Sequence, residues 1–217
     1  MKKKLLIMSV AMVLVCAFAV GMTIAYLTST DEVVNTFTVG NVRIKLDEAD
    51  VDEYGRVPQG SPAPRVKANS YKLIPGHTYT KDPTVTVLSG SERSYIKMTV
   101  TFTKADALGA IFGTDDAGLF SIFNGYDSAN WINKGYTEDT ENHTRTYEFW
   151  YKEVVPAVPA TTENVALDAL FDSITVPRTI TNDQLATIQG MTITVNAYAI
   201  QADGFGTAEA AWAAFAN

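Results

Sequence analysis

The chain has 217 residues, with 24 Asp and Glu against 17 Lys and Arg and a single cysteine, Cys16. A net charge of −7 argues against a polyanionic partner such as nucleic acid. One cysteine excludes an intrachain disulfide and a thiolate metal cluster, so stability must come from an apolar core, for which 47% hydrophobic residues are ample.

Lys2, Lys3 and Lys4 precede an uncharged apolar run from Leu5 to Gly21, the pattern of an export signal. Thr23 and Ala25 supply the small residues that a signal peptidase reads, so residues 1–25 are expected to be removed and the mature chain to begin at Tyr26. If retained, Leu5 to Ala25 is long enough to span a bilayer, and this uncleaved leader would be the chain's contact with a membrane. Cys16 follows Leu14 and Val15 in mid-run, which is not a lipidation pattern. Cleavage leaves 14 Lys and Arg against the same 24 acids, in a single expected domain over 26–217.

Residues 33–46 are β-rich, broken at Gly40-Asn41. From Val42 to Leu46 the apolar residues alternate with Arg43 and Lys45, as in a half-buried strand. Residues 47–64 combine acids with Pro, Gly and Ser and read as a surface loop. The acids of 47–53 raise the question of calcium, but they lack EF-hand spacing, and solvation is the expected role. Leu73-Ile74-Pro75-Gly76-His77 predicts a turn, followed by a strand over 84–88. Residues 94–103 give the cleanest alternation, with Ile96, Met98, Val100 and Phe102 on one face and Lys97, Thr99, Thr101 and Thr103 on the other, and predict a central strand.

Residues 105–131 change to short helical pieces, 105–112 and 116–123, broken by Gly113, Gly118 and Gly125, and read as an insertion. Strands are predicted at 145–152, 169–176 and 191–201. The first two are separated by residues 154–162, where Pro156 and Pro159 exclude regular pairing. Thr207 should cap a short terminal helix whose Ala208, Ala211, Trp212 and Phe215 dock on the sheet, which makes Trp212 a core residue. With no βαβ alternation and no repeat, the expected fold is mostly β. It would be an antiparallel two-sheet sandwich of jelly-roll type, with short helical insertions and a short C-terminal helix.

Motifs for catalysis are missing. His77 and His143 belong to no HExxH or HxH arrangement, and there is no GxSxG elbow or P-loop, so no catalytic residue, cofactor or metal site is expected. Asn142-His143-Thr144 is a glycosylation sequon, relevant only in a host that uses it.

Gly21-Met22-Thr23-Ile24-Ala25-Tyr26-Leu27-Thr28, followed by Asn35-Thr36-Phe37-Thr38-Val39-Gly40-Asn41-Val42, resembles the N-terminal region of the TasA/camelysin family. Leu73-Ile74-Pro75-Gly76 with Thr80-Lys81-Asp82 is similar to the family's L-x-P-G…T-K-D turn, and residues 195–205 resemble the endings of exported relatives from Gram-positive anaerobes. Residues 105–187 carry no such likeness. The resemblance implies a jelly-roll protein cut by a SipW-type signal peptidase, secreted to the cell surface or extracellular matrix, and a candidate biofilm-matrix fibre subunit. It also implies self-association through a freed N-terminal donor strand, residues 26–39, anchored by Tyr26, Leu27, Val33, Val34, Phe37 and Val39. An internal first strand is the alternative for that segment. Rival functions are a camelysin-like surface metallopeptidase, weakened by the missing HExxH, and a monomeric surface or adhesion module.

Overall fold

The computed structural model describes residues 41–58 and 63–215. The chain from Gly40 onward is one compact unit. It is mostly β and every named strand pair is antiparallel.

One layer has the strand order β11-β5-β8-β7, formed by Ile193–Gln201, Ser94–Thr103, Thr144–Tyr151 and Trp131–Asp139. Strict alternation in β5 makes this layer's two faces. Ile96, Met98, Val100 and Phe102 are fully buried, while Thr99, Thr101 and Thr103 look outward, where the Thr101 and Thr146 hydroxyls bond at 2.9 Å.

The opposing layer is built from two ladders. β2 (Arg65–Val66), β1 (Ile44–Ala49), β4 (Thr84–Val87) and β9 (Val165–Ala166) form one, and β3 (Thr78–Thr80), β10 (Ser173–Thr175) and β6 (Phe123–Asn124) form the other. The chain runs from β3 into β4 through Lys81–Pro83 and from β9 into β10 through 167–172. Leu167 N donates to Val85 O (2.8 Å), Leu170 N to Pro83 O (3.1 Å) and Lys81 N to Asp172 O (3.1 Å), so both ladders belong to one layer interrupted at Pro83. Between the pairs Thr86↔Ala166 and Thr80↔Ser173, six steps on one strand face seven on the other, a one-residue bulge. A single apolar cluster joins the layers, with Val85, Tyr79 and Ile174 from this side meeting Met98, Tyr147 and Phe149 from the other. The result is a two-layer antiparallel sandwich, compatible with a jelly roll.

Among the described residues four helices complete it: α1 (Ala105–Phe112), α2 (Asp116–Phe120), α3 (Asn182–Thr187) and α4 (Ala208–Phe215). Thr181 and Gln184 form a reciprocal capping box on α3 (3.2 and 3.0 Å). Thr207 Oγ1 accepts from Ala210 N (3.2 Å) at the start of α4, whose Trp212 is buried against the sheet with Lys97 Nζ 4.8 Å from its ring.

Three stretches differ from the sequence expectation. Asp47, Glu48 and Ala49 lie in β1 and are buried, not in a surface loop, because basic side chains distant in sequence neutralise the two acids. Residues 131–139 form β7, hairpinned to β8 and carrying a register irregularity between Asn133 and Tyr136. Its solvated edge position removes the apolar alternation that would have revealed it. The 105–131 segment holds the expected short helices but also a strand. Leu108, Leu119, Ile122 and Phe123 are core residues, and Phe123–Asn124 is itself the edge strand β6.

Candidate functional site

Among the described residues the sandwich is open along one side. β11 pairs only with β5, and the Ile44–Asp47 stretch of β1 pairs only with β4, so among the described residues both present an edge with no strand partner. β1 and β11 are spatial neighbours but share no ladder. Between them lies a groove of about 1140 Å³. Leu46 comes from one wall and Ile193, Val195 and Ala197 from the other, with Leu73, Ile174, Leu185 and Met191 adding apolar surface.

The inward side chains of β11 record this opening. Ile193, Val195, Ala197 and Ala199 are only half-buried, although their direct partners on β5 (Phe102, Val100, Met98 and Ile96) are fully buried. Apolar surface in partial contact with water, flanked by two strand edges, is a receptor for an extended apolar segment. Main-chain hydrogen bonds would supply affinity, and alternate side chains would enter the groove.

A polar cluster forms the groove's other rim. Glu48 Oε2 accepts from Lys81 Nζ at 2.6 Å, both side chains being more than nine-tenths buried. Asp47 accepts from Arg65 Nε (2.9 Å) and pairs with Lys45 (2.5 Å), and Arg65 reaches on to Asp82 (2.5 Å). Burial would by itself raise the Asp47 carboxyl, but hydrogen bonds from Lys45 and Arg65 outweigh it and hold the group below the usual carboxylate range. Asp82 also caps the strand, its Oδ1 accepting from Ala49 N at 2.7 Å. Tyr71 lines the groove here, and its phenol is pushed far up by burial and by the Glu48 charge.

This cluster explains why the acids of 47–53 do not act together. Asp47 and Glu48 face cations in β1, whereas Asp52 turns back on its own loop and accepts from the Tyr54 and Arg56 N–H groups (both 2.9 Å). Among the described residues no group of three or more His, Cys, Asp or Glu could hold a metal ion. His77 follows the 73–76 turn and bonds Tyr54 O through Nε2 (2.7 Å), and His143 sits in the β7–β8 hairpin against Asp106 (2.5 Å). The structure therefore places the two histidines in separate turns.

Thr23, Ala25, Tyr26, Leu27, Val33, Val34, Phe37 and Val39 lie outside the described residues. The groove itself was not foreseen. The one sequence signal near it was the 80–82 Thr-Lys-Asp motif, which supplies Lys81 to its lining.

No protein-family model, curated protein or solved structure matches this chain. The groove's meaning rests on its own geometry.

Proposed function

We propose that the protein is a secreted structural subunit that assembles head to tail, the N-terminal segment freed by signal cleavage lying as a strand in the groove of the next copy. The observation that carries this reading is the groove between the edges of β1 and β11 that have no strand partner among the described residues. Its open β11 wall is nine residues long, about 30 Å at strand rise, and the 14 residues from Tyr26 to Val39 are long enough to cover it when extended. Val33, Phe37 and Val39 supply apolar side chains for a groove lined by Leu46, Val195 and Leu185. Each donated strand covers an open edge while its own subunit keeps a vacant one, so the interface is heterologous and propagates as a filament. Secretion through a SipW-type peptidase and a place in a biofilm matrix belong to the same proposal.

Electron microscopy and size-exclusion chromatography on protein starting at Tyr26, beside the same protein with a blocking N-terminal extension, test it. Filaments only from the free terminus support the subunit reading. Monomers from both, over a range of concentration and pH, overturn it.

A further inference from the structure

Three side chains on the groove's polar rim stand in an arrangement that goes beyond an ion pair. Glu48 holds Lys81 with one carboxylate oxygen and an amide with the other: Lys81 Nζ lies 2.6 Å from Oε2, and Asn69 Nδ2 donates to Oε1 at 3.0 Å. Asn69 Nδ2 also donates to Ala49 O (2.9 Å), and Asn69 Oδ1 accepts from Val51 N (3.1 Å). The amide is thus fixed in its plane by three contacts with β1 and the residues just after it. Tyr71 ties the same loop to the end of β3, next to the lysine, its hydroxyl donating to Thr80 O at 3.1 Å. A buried amine and carboxylate and a half-buried carboxamide are therefore held together on the groove's wall.

We propose that Lys81 and Asn69 form an intramolecular isopeptide cross-link, with Glu48 carrying the protons. The Nζ proton passes along the 2.6 Å hydrogen bond to Oε2, which removes two buried charges at once. The amine's electron pair then attacks Asn69 Cγ. Negative charge develops on Oδ1, where the Val51 N–H already points, so this backbone donor plays the part of an oxyanion hole. Glu48 protonates Nδ2 through the Oε1 contact, the Cγ–Nδ2 bond breaks and ammonia leaves. The remaining surplus proton on Nζ returns to the carboxylate. One C–N bond forms as another breaks, and nothing is oxidised or reduced. Before the reaction the site holds a charged pair, and afterwards it holds a neutral amide beside a protonated Glu48. Val51 and Glu48 act on the reacting atoms, whereas Tyr71 is a positioning residue.

The cross-link would tie the loop after β2 to the β3–β4 run and fix the groove's rim covalently. It does not depend on the fibre reading, since a monomer can carry it and a filament can form without it.

Intact-mass measurement and tryptic mapping of the folded, mature full-length protein test the proposal. The expected mass is about 17 Da, one ammonia, below that given by the sequence from the observed N-terminus. Trypsin should release residues 68–72 joined to residues 73–93 with Lys81 uncut. Glu48→Gln keeps the shape of the carboxylate but not its proton transfer, and should return the full sequence mass with Lys81 cleaved. Lys81→Arg keeps the positive charge but is no nucleophile, and should do the same, each variant's folding being checked by circular dichroism. Folded wild-type protein at full mass, with residues 68–72 released free, overturns the proposal. So does an ammonia loss confined to 68–72 with no joined peptide, which would be a succinimide at Asn69, or a cross-link that survives in Glu48→Gln.

Discussion

β5 and β11 lie side by side in one ladder and carry the same alternation, yet they live in different surroundings. Each inward residue of β5 is sealed, while the residue paired with it on β11 is half open to water. The difference comes from the far edge: β5 is flanked on both sides, by β8 and β11, and β11 by β5 alone among the described strands. An apolar face in a strand therefore does not establish a core. The neighbour beyond it does, and on the β11 side the burial still to be gained belongs to whatever fills the groove.

The largest expected effect lies on the sealed side. Phe102→Ala removes a ring packed 5.5 Å from Phe123 and 6.2 Å from Tyr147, between centroids. It should cost about 3–5 kcal/mol in denaturant unfolding. Next is the rim. Asp47→Asn leaves Arg65 and Lys45 without their shared carboxylate and should cost about 1.5–3 kcal/mol at neutral pH.

The same substitution sharpens the comparison through pH. Because the folded Asp47 carboxyl lies below its unfolded value, its stabilisation is complete above the ordinary carboxylate range and is lost as pH falls through the folded value. Stability measured from neutral to strongly acidic pH should therefore fall less steeply in Asp47→Asn than in wild type; identical acid limbs would exclude Asp47 as a contributor.

On the open side, Val195→Ala should cost the isolated subunit about 1 kcal/mol or less, since the side chain is only partly buried to begin with. Val195→Lys should leave the subunit folded and soluble and abolish filaments, as read by microscopy. A severe loss of monomer stability in Val195→Ala would mean that β11 is sealed in solution and would break the comparison. The smallest effect belongs to the outward face: Thr101→Val removes one hydroxyl contact with Thr146 and should change stability by no more than about 0.5 kcal/mol.

Where alternation is uninterrupted, as in β5, the sequence alone places the strand and its inward face. The end of α1 at Gly113 and the Thr207 cap were legible for a similar reason, because both are set by residues close in the chain. The acids of β1 were not. Whether Asp47 and Glu48 are solvated or buried is decided by Arg65 and Lys81, which lie 18 and 33 residues further along. β7 escaped because an edge strand with a bulge near Gly135 has little inward face to conserve a period. The groove escaped most completely. Its apolar residues look like any buried set in sequence, and the open edge of β11 among the described strands is a property of sheet order.

The interruption at Pro83 has a consequence for how the chain finds its alignment. A proline has no N–H to give a ladder, and here it sits where the pairing slips and a carbonyl is all that Leu170 requires of it. Sliding the 165–175 run by two residues, the smallest shift that keeps inward side chains inward, would bring regularly paired backbone onto Pro83 and leave an acceptor unanswered. Misaligned pairings thus carry a built-in defect, and this layer is keyed to one registration in the way a notch admits one tooth.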